Sequence, residues 1–231
     1  MRIERLSSID STNLEAQRRA VAGEPGPLWL VAVEQTAGKG RLGRTWISKP
    51  GNLYSTLIWP TAAALRDLSQ LSFVAALGVS DAASKFAPAN SVSLKWPNDI
   101  LLNGSKFCGI LVESLKPGLV AIGIGINIAH VPDGLPYKAE KLTGAADDTV
   151  FEQLNLSLSY WLKIWDEGEG FAAISAAWES RCHHIGKAVS VDGLQGTFKG
   201  LGPDGALLLE KSTGETKPIY AGDVRVEYQA P

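Results

Sequence analysis

Several strand-like runs of this chain are joined by links too short to hold a helix, which excludes a regular βαβ winding. Residues 92–96 and 100–102 read as successive strands. Asn103-Gly104 then supplies the two positive φ angles of a type I′ hairpin turn into a strand over 106–115. Residues 119–128 follow as another alternating strand. Upstream, the unbroken apolar run 28–33 suits a strand covered on both faces; 53–59 is the next strand, and Pro60 ends it. Residues 3–6 read as a short edge strand. Helices are expected from Ser11, where Thr12 and Glu15 have capping-box spacing, over the alanine-rich stretch 63–85, and over 151–165 and 171–181. This part of the chain is α+β with a mixed sheet.

From Gly186 onward short β-type pieces alternate with Gly and Asp turns, as in a small SH3-like barrel. The boundary falls between His184 and Lys187, giving a first domain over 1–185 and a second over 186–231. The length of 231 residues agrees, since the prior for it is about one and a half domains. With 22 Lys+Arg against 24 Asp+Glu the net charge is −2, so there is no overall basic field to gather nucleic acid. Two distant cysteines, Cys108 and Cys182, suit a reduced compartment. The start has no apolar stretch of signal-peptide type and no window is apolar enough to span a membrane, so a soluble cytoplasmic protein is expected. Cys182, His183 and His184 are adjacent, a spacing that rarely satisfies a tetrahedral metal. They read as the end of a helix, and no metal site is expected; His130 has no evident partner.

Glycine is in excess, 24 residues, and part of it gathers in GKGRLGRT. Gly38, Gly40 and Gly43 fit a dinucleotide fingerprint, and the stretch is near a P-loop with Arg44 in the lysine position. Both need a following helix, which Pro50 and Gly51 forbid. What remains is glycine alternating with Lys39, Arg41 and Arg44. In such a loop backbone N–H groups can approach an anion while the cations supply charge and forked donors. Trp46 beside them is a flat aromatic that can cover a base or serve as core.

EQTAGKGRLGRTW, KWPNDIL, KFCGILVES and GIGINI occur in this order, preceded by DSTN and followed by the small β region. Together they resemble the biotin protein ligases, over residues 9–226. The resemblance implies a mixed-sheet catalytic domain of the biotin/lipoate ligase type. It also implies an ATP-dependent, AMP-forming enzyme that makes biotinyl-5′-AMP and passes biotin to a lysine of a biotin carboxyl carrier protein. By the resemblance, Ser11, Thr12, Asn13 and Gln35 meet the ureido ring of biotin. Lys39, Gly40, Arg41, Lys106 and Gly109 close on its carboxylate side, and Arg41, Arg44, Trp46, Lys95 and Asn127 meet ATP. Lys106, Arg41 and Asp99 are the implied catalytic set, with Asp99 serving either the incoming lysine or the metal. Ser11 and Thr12 can equally be plain helix caps, and both roles can hold together.

Carboxylate attack on an α-phosphate joins two anions, so cations and Mg²⁺, carried with ATP, have to offset the repulsion. Lys39 stands where the family more often has arginine, which leaves a backbone role but puts a forked contact in doubt. Leu42 replaces a residue that is often polar. A lipoyl or octanoyl ligase is the alternative within the superfamily. A biotin-responsive repressor is the alternative outside it, but Ser11 falls only ten residues from the start, leaving no room for a helix-turn-helix. No nucleic-acid or membrane partner is expected, and the chain is read as a monomer or homodimer.

Overall fold

The computed structural model describes residues 1–226. The first sheet has seven strands in the order β1-β2-β3-β7-β6-β5-β4: β1 (Arg2–Leu6), β2 (Leu28–Ala32), β3 (Leu53–Pro60), β4 (Val92–Lys95), β5 (Asp99–Leu102), β6 (Ser105–Lys116) and β7 (Leu119–Ile126). Only β1 and β2 run parallel, with α1 (Thr12–Val21) as their crossover; every other pair is antiparallel. The hairpin between β5 and β6 turns at Asn103 (φ 50°) and Gly104 (φ 77°), as its Asn-Gly pair requires.

The sheet is covered unequally, and that difference makes the site. On one face Trp29, Val31, Leu57, Ile122, Ile124 and Ile126 pack under α2 (Leu71–Ala83) and α3 (Asp147–Trp165). On the other face α1 covers only part of the sheet, its Ala16 and Ala20 lying on Leu28, Leu30, Ile58, Leu119 and Ala121. Along β7 the same face continues with Gly123 and Gly125, since alternate residues share a face. At these two positions β7 offers only backbone to that face.

The second sheet is antiparallel, ordered β11-β10-β9-β8-β12 from β8 (Ala188–Val191), β9 (Leu194–Leu201), β10 (Leu207–Glu210), β11 (Thr216–Ile219) and β12 (Val224–Val226). Among the described residues no ladder joins β11 to β12. The sequence boundary at 185/186 falls between α4 (Phe171–Glu179) and β8, and residues 227–231 of the second segment lie outside the described residues. Its apolar residues Val189, Phe198, Leu207 and Val224 belong to the same contiguous core as α2 and α4. Trp96 Nε1, in the link between β4 and β5, donates to the Gly205 carbonyl at 3.1 Å, and the Leu201 N–H of β9 to Glu179 Oε1 of α4 at 2.6 Å.

Four local expectations need correction. The helix expected over 63–85 begins only at Leu71, after a 3-10 stretch over Leu65–Gln70. The Glu167 carboxylate accepts from the N–H groups of Ala62 and Ala63 and holds them out of the helix. Helix α3 starts earlier than expected, at Asp147, with Asp147 and Asp148 in its first turn complementing the dipole. The capping box does not form: Ser11 is the N-cap without a side-chain cap bond, and Glu15 instead pairs with Arg18 and Arg19. Cys182 and His183 are not a helix end, because α4 stops at Glu179; they run beside Leu94 and cover the edge of β4.

Candidate active site

The bare glycine face of β6 and β7 is the floor of a cavity of about 320 Å³, open at one end. A β-carbon on Gly123 would lie 2.2 Å from Asn13 Oδ1, and one on Gly125 would lie 2.5 Å from Trp46 Nε1. Gly109 on β6 admits the Trp46 ring in the same way, at 3.1 Å. Three glycines on one face thus make room for side chains arriving from α1 and from the glycine loop.

At the deep end, neutral polar groups are buried and paired with one another. The start of α1 brings Ser11, Thr12 and Asn13 over the sheet, all less than 7% exposed. Gln35 Oε1 accepts from the Thr12 N–H at 2.8 Å and from Thr12 Oγ1 at 3.1 Å, while Gln35 Nε2 donates to Ser48 Oγ at 2.8 Å. Thr56 Oγ1 lies 2.8 Å from Thr12 Oγ1 and 2.6 Å from Asn13 Oδ1. Asn13 Nδ2 donates to Glu113 Oε2 at 2.7 Å. Every hydrogen bond made here fixes a neighbour's orientation, which is what a buried polar network needs to be stable. Tyr54, nearby on β3, is buried enough to push its phenol up to about 12, and its hydroxyl donates to the Lys49 carbonyl at 2.8 Å.

The mouth is cationic. The glycine loop folds back on itself through Gly40 N–H to Arg44 O (2.7 Å) and Trp46 N–H to Gly38 O (2.9 Å), presenting Lys39, Gly40, Arg41 and Arg44 to the cavity. Leu42, with φ 56°, lines the cavity beside Arg41 while most of its side chain is exposed. Arg41 Nη1 donates to Asn98 Oδ1 at 2.9 Å, and Asn98 Nδ2 in turn to the Ile110 carbonyl at 2.7 Å. Arg44 Nη2 reaches across to Asp223 Oδ2 of the second sheet at 2.5 Å. The hydrogen bond from Arg44 holds the Asp223 carboxyl below its ordinary range, helped by the fields of Arg44, Lys95 and Arg41. Lys106 Nζ pairs with Asp99 Oδ1 at 2.7 Å, with both side chains only 18% exposed.

Two expected residues do not line this cavity. Lys95 faces Asp99 across the β4–β5 ladder and acts on the mouth only through its field. Asn127 is buried beyond β7, where Nδ2 donates to the Glu140 carbonyl at 3.2 Å and its own carbonyl accepts from Leu142 at 2.8 Å. Conversely Thr56, Ser55, Asn98, Gly123, Gly125, Tyr137 and Asp223 take part without having been assigned a role from sequence. Gly123 and Gly125 carried a readable signal, glycines at i and i+2 alternating with Ile122, Ile124 and Ile126. Tyr137 and Asp223 carried none. Among the described residues no three His, Cys, Asp or Glu side chains gather as a metal-ion site.

Comparisons agree with this geometry. Residues 6–128 match the family model described as "Biotin/lipoate A/B protein ligase family", and residues 184–226 match "Biotin protein ligase C terminal domain". The biotin–[acetyl-CoA-carboxylase] ligase of Paracoccus denitrificans is 38% identical over 228 residues, covering 90% of this chain and 94% of that protein. The bifunctional ligase/repressor BirA of Bacillus subtilis is 33% identical, over 94% of this chain and 72% of its own length. Among solved structures, the biotin protein ligase from Aquifex aeolicus in complex with biotin and ATP superposes with a TM-score of 0.82 at 30% identity, over 98% of each chain. On its sequence and on both of its sheets, this chain belongs to the biotin/lipoate A/B protein ligase family.

Proposed function

We infer that this chain is a biotin protein ligase, which activates biotin with ATP to biotinyl-5′-AMP and then transfers biotin to a lysine of a biotin carboxyl carrier protein. The observation that carries this reading is one cavity with a neutral, hydrogen-bonding deep end and a cationic mouth. A ureido ring offers a carbonyl and two N–H groups, which the hydroxyls and amides of Ser11, Thr12, Asn13 and Gln35 can pair. The valeryl chain then runs from this deep end toward the cations at the mouth. An octanoyl or lipoyl tail has no N–H or carbonyl at its far end and would gain no hydrogen bond from these groups.

At the mouth, one carboxylate oxygen of biotin attacks the α-phosphorus; the new C–O–P bond forms as the bond to the pyrophosphate leaving group breaks. Lys106, Arg41 and Arg44 face the charge that accumulates, and Lys39 and Gly40 offer backbone donors. Mg²⁺ comes on the nucleotide: the acidic groups facing the cavity among the described residues, Asp99 and Asp223, are each held by a cation and form no metal cage. In the second step the neutral amine of the acceptor lysine attacks the activated carbonyl, and AMP leaves. Asp99 is then the carboxylate nearest Lys106 to orient that amine. Gly109 keeps the backbone of β6 close to the ligand, Trp46 walls the nucleotide side, Lys95 supports the phosphates by its field, and Asn127 pins the segment over 138–142.

No helix among the described residues is long and apolar enough to cross a membrane. We place the enzyme in the cytoplasm, acting on a carrier domain of acetyl-CoA carboxylase or a related carboxylase without nucleic acid, as a monomer or homodimer. The test is incubation with biotin, Mg-ATP and a biotin carboxyl carrier domain, followed by mass measurement of the carrier. One biotinyl group per carrier is expected. An unmodified carrier, or a competing octanoate that is transferred in preference to biotin, would overturn the reading.

A further inference from the structure

Lys106 is held on more sides than its ion pair with Asp99. Its ammonium lies 5.4 Å from the centre of the Trp46 ring and 5.3 Å from the centre of the Tyr137 ring, so it sits between two aromatic faces. Trp46 cannot shift without leaving the slots at Gly109 and Gly125. Tyr137 comes from a stretch between β7 and α3 that no sequence motif marked; its side chain is partly exposed, and the backbone just after it is fixed to β6. The Lys106 N–H donates to the Lys138 carbonyl at 3.0 Å, and the Glu140 N–H to the Lys106 carbonyl at 2.9 Å, a parallel bridge onto the backbone of Lys106 itself. Asn127 holds the far end of that bridge through Glu140 and Leu142. The same residue that carries the ammonium thus anchors the segment that lays a ring over it.

The two kinds of partner do different things to the charge. A carboxylate fixes an ammonium by neutralising it, which works against its use on incoming anions. A π face fixes it through the ring quadrupole and leaves the positive charge available. When the biotin carboxylate and the α-phosphate arrive, Asp99 becomes a competing anion, whereas the rings still define where the ammonium stands.

We propose that Tyr137 is a positioning residue for adenylation, acting through Lys106 by its aromatic face and not through its hydroxyl or through contact with the nucleotide. This rests on the biotin ligase reading, so the rate of biotinyl-5′-AMP formation is measured in single turnovers, without any carrier protein. Three variants separate the possible roles: Tyr137→Phe keeps the face, Tyr137→Leu keeps apolar bulk without a quadrupole, and Tyr137→Ala removes both. The Phe variant should keep the wild-type rate within about twofold, while Leu and Ala should each fall roughly tenfold in the rate at saturating ATP and biotin. Tyr137→Leu at the wild-type rate would overturn the proposal, because packing of the segment would then suffice. So would a Phe variant as slow as Leu, which assigns the hydroxyl. A Leu variant that raises only the KM for ATP would overturn it as well, since that is the mark of base stacking. A wild-type protein that forms no adenylate would instead sink the ligase reading, and the two failures are distinct.

Discussion

The two ends of the cavity solve opposite problems. At the deep end Thr12, Asn13, Gln35, Ser48 and Thr56 are neutral, largely buried and bonded to each other. At the mouth each principal cation is held by a residue from another element: Arg41 by Asn98, Arg44 by Asp223, Lys106 by Asp99. A neutral network gains its order from being complete before a ligand arrives. A cationic cluster cannot be left unpaired at such density, so its members rest on acceptors that an anionic ligand can replace. Recognition is thus built into the folding of the deep end, and chemistry is left to charges at the mouth that remain exchangeable. Damage to the first should show in stability and biotin affinity, damage to the second in rate.

The largest effect should come from the mouth. Lys106→Ala is expected to slow adenylate formation by roughly 10²- to 10³-fold, with a melting temperature within a few degrees of wild type. Rapid-quench measurement of biotinyl-5′-AMP and a thermal scan together check this, and a large loss of stability would blur the division. At the deep end, Gly123→Ala puts a β-carbon 2.2 Å from Asn13 Oδ1, against strand backbone that cannot retreat. Overpacking of this kind should cost about 1–3 kcal/mol in urea unfolding and weaken biotin binding measured by calorimetry. Normal values for both would show that Asn13 can move freely.

A comparison with pH sharpens the same contrast. Burial pushes His184, on the far side of β4, down to about 3, with the charges of His183, Lys95 and Lys187 adding to the shift. Its folded value lies below the unfolded one near 6.5, so the unfolded chain binds the proton first and stability falls as pH drops from about 6.5 toward 3. By pH 5 the loss should be about 2 kcal/mol, and His184→Gln should flatten that part of the profile. Thr56→Val deletes a hydroxyl shared by Thr12 and Asn13 and should cost about 1–2 kcal/mol, by the same amount at pH 7.5 and pH 6.5, because the three groups do not titrate. A cost that differs between the two pH values would show that a group titrating in this range takes part in the network. The smallest effect belongs to Asp223→Asn. Its pair with Arg44 is roughly half exposed on each side, and such pairs contribute less than about 1 kcal/mol, screened by salt. Because the Asp223 carboxyl is lowered, that small contribution is present above the unfolded carboxylate range and fades as pH falls through the folded value.

The α+β architecture was legible because its signals are local. Asn103-Gly104 can hardly turn any other way, and the alternation along β7 sorts isoleucines to one face and glycines to the other. The start of α2 was not legible, since what holds Ala62 and Ala63 extended is a carboxylate about a hundred residues away. The same reason hid Tyr137 and Asp223: each reaches the cavity through a contact between distant segments and carries no pattern of its own. Motif membership also overstates proximity. Lys95 and Asn127 belong to the ordered motifs, yet one stands behind Asp99 and the other ties down a loop.

The central claim is that the deep end is finished before ligand arrives while the mouth is not. Amide hydrogen exchange, read on peptides covering residues 11–13 and 53–57 against those covering 38–46, tests it directly. With biotin and Mg-ATP bound, protection should rise strongly over 38–46 and stay unchanged over 11–13 and 53–57. Equal gains at both ends, or gains confined to the deep end, would contradict it.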